Sequence, residues 1–423
     1  MGVLRGVRTT RRGAALTALG ALTLVVGFVL GVRILTQIGA LLLLTVAAGV
    51  AWLVHEARSQ ERGRLRLDRR VTPHPVAVGH DAVVRVEVSS RSGHRIDGLQ
   101  IAERAARELS GPAALRARVQ RTPGRLALTY PISPRHRGRW PVGPLEVQRR
   151  DPFGVASWVG PLGGPMRVAV RPAVVSLGTS NRAASTDVDR ASAGARTPAA
   201  DDASLRDYRP GDDLRRVHWG SSARRGQLMV RQDERAGRRP VSVVIDLPPE
   251  DAAAEWTISA GASIALALAG AGHHVRILGG DVLSVGTEHH RPDTDGTAVD
   301  ALLDQTVDLR LPSTPGDRAA WLSAAVDTLT AEAGGAELVF AVVGALWPTA
   351  LGDLARVGAA SHGWAMVRSG QAGRDTLPTP DETRTLESLR RAGWTACAVH
   401  PGEDIAVSWQ RLLDSDERVA GRA

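Results

Sequence analysis

A long apolar run near the N-terminus constrains this chain more than any other feature of its sequence. Residues Ala14–Val32 are apolar or small throughout, Arg33 interrupts them, and Ile34–Val54 continues with one strongly polar residue. A membrane-spanning helix needs about 20 apolar residues, and the run is about twice that length. A single span would place Arg33 at the bilayer centre, at a cost of several kcal/mol. The sequence therefore predicts a hairpin of two transmembrane helices over residues 13–54, turning at Gly31-Val32-Arg33.

The arginines around this run predict which side of the membrane its ends face. Four arginines precede the run, six follow it between residues 58 and 70, and one lies in the turn. Because cytoplasmic segments beside membrane helices carry an excess of arginine and lysine, the tail 1–12 and the soluble part are predicted to be cytoplasmic. The chain would then be a multi-pass protein of the inner, or plasma, membrane. Export is the alternative, since Arg11-Arg12 resembles a twin-arginine signal.

The charge of the chain is unevenly distributed. All 53 basic residues are arginines. Residues 1–240 contain 40 arginines and 19 acidic residues, whereas residues 241–423 contain 13 arginines and 25 acidic residues. A basic half beside a membrane segment favours contact with anionic lipid headgroups. Nucleic-acid binding is the alternative, but the chain has no zinc-finger spacing and only 4% aromatic residues. We therefore expect a lipid bilayer, and no nucleic acid, among the partners.

Residues 64–177 consist of short alternating runs punctuated by glycine and proline. This pattern predicts an antiparallel, all-β sandwich-like domain. Its clearest strands are Val83–Val88, Leu126–Tyr130, Leu145–Gln148 and Arg167–Val170. The stretch Ile101–Leu109 fits a short helix or a strand. Residues 178–203 are rich in Ala, Ser, Thr and Asp and are predicted to be a flexible linker.

Residues 236–423 alternate buried strands with helices. This alternation predicts an α/β doubly wound domain, a parallel sheet covered on both faces. Its strands are Val241–Ile245, Val275–Leu278, Leu338–Val343, Ala365–Arg368 and Ala396–Val399, and its helices are Ala252–Gly270, Thr349–Ala359, Asp381–Ala392 and Asp404–Leu413. Ligands of such sheets bind beyond the carboxyl ends of the strands. Asp246, Gly279-Gly280-Asp281 and Gly344 should lie on that rim.

The segment 204–235 is dense in Arg, Asp, Tyr and Trp, and three interpretations stay open. Asp–Arg pairs around Pro210-Gly211 would make a structural clasp. The same residues would make a docking surface, because Trp, Tyr and Arg dominate interface hot spots. A catalytic site with Asp212, Asp213 and His218 as acid–base groups is the third. The candidate partner-binding residues are Tyr208, Gly211, Asp212, Asp213, Arg215, Trp219, Ser222 and Arg224.

Within that segment, Tyr208-Arg209-Pro210-Gly211-Asp212-Asp213 followed by Val217-His218-Trp219 closely resembles the signature of the bacterial domain-of-unknown-function 58 family. A second match is His136-Arg137-Gly138-Arg139-Trp140 followed by Asp151-Pro152-Phe153-Gly154. The layout of two membrane helices, a β-rich region, the signature and an α/β domain is similar as well. The resemblance implies a von Willebrand factor A-like C-terminal domain and a MoxR-type AAA+ ATPase as partner.

A working von Willebrand A metal site needs Asp-x-Ser-x-Ser after the first strand, because a carboxylate and two hydroxyls surround the Mg²⁺. Here Asp246 is followed by Pro248 and Glu250 at the serine positions. Asp246 and Glu250 are therefore candidates for a degenerate site only, and no metal or other cofactor is expected. Cys397 is the single cysteine, and its apolar neighbours predict a packed core residue.

The leading hypothesis is a non-enzymatic, membrane-anchored interaction or scaffold protein, working with an AAA+ ATPase of the MoxR type in protein assembly or envelope maintenance. The chain has no phosphate-binding loop with lysine and no Gly-x-Ser-x-Gly elbow, which argues against familiar ATPases and serine hydrolases. Two alternatives remain: a hydrolase-like enzyme that uses the signature Asp and His residues, and a module that binds anionic lipid or envelope components.

Overall fold

The structure of the protein, a computed structural model, describes most of the chain in two compact units, Met1–Arg171 and Pro172–Ala423. The described residues are 6–61, 65–90, 99–110, 117–177, 205–207, 222, 226–227, 229–231, 240–281, 287–291, 293–332, 337–370 and 378–420. The predicted linker 178–203 lies outside them.

The first unit begins with a helical hairpin. Strand β1 (Val7–Thr9) leads into helix α1 (Arg11–Leu30), and helix α2 (Arg33–Glu61) returns antiparallel beside it. Thr10 caps α1, since its side chain accepts the backbone N–H of Gly13. Gly31 ends α1 in the left-handed region, at φ 69°, where a β-carbon would be strained. Both helices are long and apolar enough to cross a membrane, which agrees with the predicted pair.

Glycines set the distance between these two helices. A β-carbon at Gly27 would lie 2.6 Å from the backbone nitrogen of Thr36, and one at Gly39 would lie 2.6 Å from that of Leu24. Such contacts are closer than real β-carbons make, so these positions need glycine. Small residues at a helix interface are the usual way in which apolar helices approach closely without a hydrophobic driving force.

The second helix continues past the predicted boundary at residue 54, to Glu61. Leu53 and Ala57 are buried in the core of the first unit, and Val46 and Val50 pack against that core. The prediction ended the hairpin where the apolar run ends, but the last turns of α2 belong to the β-domain. Strand β1, which lies within the predicted tail 1–12, pairs antiparallel with a strand of the β-domain.

The β-rich part of the first unit contains nine further strands and a short helix among its described residues. They are β2 (Leu65–Thr72), β3 (Val76–Ala77), β4 (Ala82–Ser90), β5 (Gln100–Ala105), α3 (Arg107–Ser110), β6 (Arg118–Thr122), β7 (Arg125–Ile132), β8 (Gly138–Arg150), β9 (Ala156–Leu162) and β10 (Met166–Arg171). One sheet has the order β2-β4-β7-β6 and the other the order β1-β9-β8-β10-β3, with β5 also on β8. The region 101–109, left open by its sequence, forms both a strand and a helix.

The two sheets enclose one core. Inward residues of β4 and β7 alternate with outward ones, and they meet buried residues of β8 and β10 in a single apolar cluster. Three polar side chains interact with one another beside this cluster. The carboxylate of Glu103 accepts hydrogen bonds from Nε of Arg69 at 2.7 Å and from the hydroxyl of Tyr130 at 2.8 Å. Burial, reinforced by Glu103, raises the pKa of Tyr130 far above its ordinary value.

The second unit contains a short antiparallel pair and a larger parallel sheet. The pair is β11 (Leu205–Asp207) with β12 (Met229–Arg231). The remaining elements are β13 (Pro240–Ile245), α4 (Asp251–Gly270), β14 (His274–Gly279), α5 (Thr297–Val307), α6 (Pro315–Glu332), β15 (Leu338–Val343), α7 (Pro348–Ala360), β16 (His362–Arg368), α8 (Pro380–Arg391), β17 (Thr395–Val399) and α9 (Ile405–Ala420).

The five strands of the large sheet are all parallel and lie in the order β14-β13-β15-β16-β17. Residues of α4, α5 and α9 pack on one face of the sheet, and residues of α6, α7 and α8 pack on the other. This is a doubly wound α/β sheet, as its sequence predicts. Helix α4 is also apolar enough to span a membrane, but it is largely buried against the sheet. Helices α5 and α6 were not predicted.

Candidate functional site

The order of the strands defines one special edge of the second unit. The chain moves from β13 outward to β14 in one direction, then to β15, β16 and β17 in the other. In sheets of this order, ligands bind beyond the carboxyl ends of the strands where the direction reverses, here between β13 and β15. Asp246 follows β13, and Gly344 follows β15. The structure therefore brings two of the predicted rim residues together.

The carboxylate of Asp246 is buried and fully occupied. Arg318, from the first turns of α6, donates Nε to Oδ1 at 2.7 Å and Nη2 to Oδ2 at 2.5 Å. The backbone N–H of Gly344 donates to Oδ2 at 2.9 Å. Burial lowers the pKa of Arg318, but the hydrogen bond and charge of Asp246 outweigh it, so the pKa lies above its ordinary value.

This arrangement does not fit a divalent cation. A magnesium ion needs free carboxylate oxygens in octahedral geometry, and both oxygens of Asp246 already accept N–H groups. Glu250 is exposed and influences Arg318 through its charge. Among the described residues, no group of three or more acidic, His or Cys side chains is arranged to hold a metal. A guanidinium stands where a cation would bind.

A second arginine lies beside the first. Arg368, at the end of β16, is 3% exposed and donates Nη2 to the backbone oxygen of Asp246 at 3.3 Å. Its Nε has no acceptor among the parts of the chain that the structure describes. Burial lowers the pKa of Arg368, and the positive charge of Arg318 lowers it further. The negative charge of Asp246 raises the pKa but does not offset the burial. Arg368 thus contacts Asp246 only at its backbone, while the carboxylate is held by Arg318, and a buried guanidinium so placed is electrostatically costly.

Gly344 allows these two arginines to approach the same point. A β-carbon on this residue would lie 3.0 Å from Nη2 of Arg318 and 3.0 Å from Nη2 of Arg368. Arg318 also lies over the ring of Trp347, with its central carbon 5.7 Å from the ring centroid. We call Asp246, Arg318, Gly344, Trp347 and Arg368 the switch-point cluster.

A serine–histidine pair lies farther along the same edge. The hydroxyl of Ser369 is 2.9 Å from Nδ1 of His400, and the backbone N–H of Ser369 donates to Val399. Next to it, Glu382 accepts the N–H groups of Gly370 and Thr379, completing a capping box at the start of α8. Asp281, the remaining predicted rim carboxylate, accepts the N–H of Arg310 at 3.1 Å.

A buried polar network occupies the opposite, amino-terminal half of the sheet. Arg276 donates to Ser242 at 2.6 Å and to both carboxylate oxygens of Glu337, and His289 lies 3.0 Å from Glu337. Burial raises the pKa of Glu337, but the hydrogen bonds of His289 and Ser242 and the charge of Arg276 outweigh it, so the pKa is lowered. We interpret this network as structural, since each of its charges has a partner.

Most candidate partner-binding residues of the signature lie outside the described residues: Tyr208, Gly211, Asp212, Asp213, Arg215, Trp219 and Arg224. His218 lies outside them as well. Ser222 is described and is buried, at 8% exposure. The backbones of β11 and β12 pair with Asp207 opposite Met229. The two ends of the signature are therefore held side by side.

The second sequence motif, Asp151-Pro152-Phe153-Gly154, forms a loop at the base of the hairpin. Asp151 is buried and accepts the N–H groups of Phe153 and Ala156, which fixes the turn. Thr10 donates its N–H to Val155 and its hydroxyl to Gly154. The motif thus joins the β-domain to the first residue before α1.

Part of the second unit matches a known protein family. Residues 204–379 match the model of a family described as "Protein of unknown function DUF58". The DUF58 match begins at the signature and includes Asp246, Arg318, Gly344 and Arg368, but ends before His400. No curated protein matches the chain.

Two solved structures give weak likenesses. The Lin-41 filamin domain is 16% identical, with 24% of this chain and 91% of that chain covered, at a TM-score of 0.14. A mutant of the PilB minor pilin from Streptococcus sanguinis is 9% identical, with 81% and 85% covered, at a TM-score of 0.28. At scores this low, neither likeness indicates a shared fold.

Sequence reasoning missed Arg318, Arg368, Ser369 and His400. Arg318 lies in a helix that was not predicted, and its partner Asp246 is 72 residues away in the chain. Arg368 is the last residue of a predicted strand, and Ser369 directly follows it. The rule that placed Asp246 on the rim would have found them, had it been applied to the last two strands.

Proposed function

We propose that the chain is a membrane-anchored interaction protein without catalytic activity. In this proposal both helices of the hairpin span the cell membrane, and both units face the cytoplasm, as the flanking arginines favour. The observation that carries the proposal is the burial of Leu53 and Ala57 of α2 in the β-domain core. An anchor that shares a core with its domain holds that domain against one membrane surface.

The second unit is proposed to be von Willebrand A-like, with its metal site replaced by an ion pair. The doubly wound sheet and the Asp246–Arg318 contact support this proposal. Its partner is proposed to be an AAA+ ATPase of the MoxR type, as the resemblance of the signature implies. The signature 204–235 and the switch-point cluster would supply the recognition chemistry, since arginine and tryptophan dominate interface hot spots.

Purified components test this proposal directly. The full-length chain in lipid nanodiscs is mixed with a MoxR-type ATPase, and complex formation is followed by size-exclusion chromatography. We expect co-elution that is lost in the double variant Trp219→Ala plus Arg224→Ala, whose melting temperature serves as the folding control. An ATPase that never co-elutes with folded wild type, with and without nucleotide, contradicts the proposed partner.

The pair Ser369 and His400 favours a second candidate, a serine hydrolase. Their 2.9 Å separation is that of a nucleophile and its base. Against it, Ser369 is 7% exposed, and a nucleophile must reach its substrate. A fluorophosphonate probe that labels wild type but not Ser369→Ala would replace our proposal with this one. Absence of labelling in folded protein would eliminate the familiar serine mechanism.

A further inference from the structure

We propose that the loop Asp151–Gly154 is a lipid-contact element, with Phe153 lying at the boundary between headgroups and acyl chains and Arg12 bound to the phosphate of an anionic phospholipid. The inference rests on the proposed membrane anchor, and it assigns a role to a motif that the interaction function leaves unused. It involves residues of the first unit alone.

The first step is the position of the loop along the hairpin. A β-carbon at Gly13 of α1 would collide with the backbone oxygen of Val155, and one at Gly49 of α2 would lie 2.7 Å from the side chain of Val155. The same β-carbon at Gly49 would lie 2.8 Å from Asp151. Both helices therefore pass the loop at the same level, with glycines where they touch it.

The helices of the hairpin extend only a limited length beyond the level of the loop. Residues 14–30 of α1 rise about 25 Å at 1.5 Å per residue, and the hydrocarbon core of a bilayer is about 30 Å thick. The large exposed apolar side chains of the hairpin beyond this level include Leu19, Phe28, Ile34, Leu41 and Leu44. Since this length is somewhat shorter than the core is thick, the loop is drawn against the membrane surface.

The third step is the chemistry that the loop exposes there. Phe153 is 57% exposed, although its neighbour Asp151 is buried and rigidly hydrogen-bonded. Arg11 and Arg12 are exposed in the first turn of α1, and a β-carbon at Gly154 would lie 4.0 Å from Nη1 of Arg12. An aromatic ring beside a guanidinium, at the end of a span, is suited to acyl chains on one side and phosphates on the other.

Site-directed spin labelling at an introduced cysteine measures the depth of the loop. Cys397 is buried, and burial raises the pKa of its thiol to about 12, so it should stay unlabelled while Phe153→Cys takes a nitroxide. The full-length variant is placed in nanodiscs containing phosphatidylglycerol, and relaxation by oxygen and by a water-soluble nickel complex is compared. We expect the label at 153 to be relaxed by oxygen and shielded from nickel.

Two labelled controls separate the possible failures. Val119→Cys, on an exposed side chain of β6, should respond to nickel as an aqueous site. Leu41→Cys, on the exposed face of α2, should lie deep in the bilayer. If the label at 153 behaves like that at 119 while 41 is deep, the lipid-contact proposal fails and the anchor stands. If 41 is also aqueous, the membrane anchor itself fails.

A lipid series tests the headgroup contact. The melting temperature of wild type should be higher in phosphatidylglycerol nanodiscs than in phosphatidylcholine ones. Arg11→Gln plus Arg12→Gln should remove at least half of that difference, because two basic residues leave the surface. The matched variant Arg356→Gln plus Arg384→Gln, on exposed side chains of the second unit, should keep it. Equal lipid dependence in all three proteins would overturn the arginine–phosphate contact.

Discussion

Asp246 illustrates how a single residue changes meaning between sequence and structure. Its place after the first strand of the α/β sheet made it a candidate for a degenerate metal site, and both of its carboxylate oxygens accept N–H groups from Arg318 and Gly344. The side chain of Asp246 is fully buried, and that of Arg318 is 22% exposed. Removing one partner of a buried ion pair leaves an uncompensated charge in the interior.

Replacing Arg318 by Met should therefore destabilise the protein by about 3–5 kcal/mol. The measurement is thermal melting of the full-length chain in detergent. Adding Asp246→Asn to this variant should recover much of the loss, because the amide keeps an acceptor for Gly344 without the charge. The control Arg356→Met breaks an exposed pair with Asp353 and should cost less than about 1 kcal/mol. Equal losses for Arg318→Met and the control would refute a buried pair.

Arg368 should give the opposite result. Its guanidinium is buried and its Nε has no acceptor in the described part of the chain. Its bond to Asp246 goes to the backbone oxygen, while Arg318 holds the carboxylate. Burying a charge without its own partner is costly, so Arg368→Met should leave the melting temperature unchanged or raise it. A marked drop, comparable with that of Arg318→Met, would show that Arg368 stabilises the fold and would remove it from the candidate recognition residues.

Glu337 makes stability depend on acidity. Its pKa is lowered in the folded protein, so the unfolded chain binds a proton at a pH where the folded protein does not. The stabilisation by Glu337 is then complete above the ordinary glutamate pKa of about 4.3. It is lost as the pH falls through the lower pKa that Glu337 has in the folded protein. Glu337→Gln should melt lower at pH 7 and lose less between pH 5 and pH 3 than wild type.

The control for this pH series is Glu387→Gln, because Glu387 is exposed on α8. It should follow wild type throughout. If Glu337→Gln shows the same decline below pH 5 as wild type and this control, the network of Ser242, Arg276, His289 and Glu337 is not the source of the acid sensitivity.

At the scale of elements, the hairpin depends on a few small residues. Gly39 of α2 approaches the backbone nitrogen and the β-carbon of Leu24 of α1 more closely than any side chain permits. Gly39→Leu should therefore push the helices apart, at a cost of about 1–3 kcal/mol for overpacking. The matched control is Ala40→Leu, whose position is exposed on the same helix. Melting in detergent should fall for the first and stay near wild type for the second.

An element could be predicted well where its residue types differ sharply from those of the neighbouring segments. The β-branched runs at Val241–Ile245 and Leu338–Val343 differ sharply from their surroundings, and both strands were found within a residue of their observed bounds. Helices α5 and α6 bury apolar residues at helical spacing, among them Leu302, Leu322 and Leu329, but alanine, aspartate and threonine lie between these residues and no element was predicted there. The end of α2 was misplaced because packing on the β-domain, rather than apolarity, decides where that helix stops.

The candidate site was harder to predict than the fold. The strand-end rule correctly placed Asp246 and Gly344 on one rim. No local pattern could pair Asp246 with Arg318, because that contact depends on where a distant helix docks. The signature was recognisable as a sequence, yet seven of its eight candidate residues lie outside the described part of the chain, and Ser222 is buried.

At the scale of the whole molecule, the two units divide the work that we propose. The first unit combines an apolar hairpin, a β-sandwich and a loop that meets both. The second carries the DUF58 match and the switch-point cluster. An anchored unit and a recognition unit in one chain would bring a cytoplasmic partner to the membrane and raise its effective concentration there.

The central claim, that the signature docks an AAA+ ATPase at the membrane, is tested most directly by crosslinking in native membranes followed by affinity capture and mass spectrometry. Wild type is compared with Trp219→Ala plus Arg224→Ala, and with Arg384→Gln as a surface control, at matched expression and melting temperature. The account predicts that wild type and the control capture a MoxR-type ATPase and that the folded double variant does not. Capture of the same ATPase by the folded double variant, or of none by wild type, would contradict it.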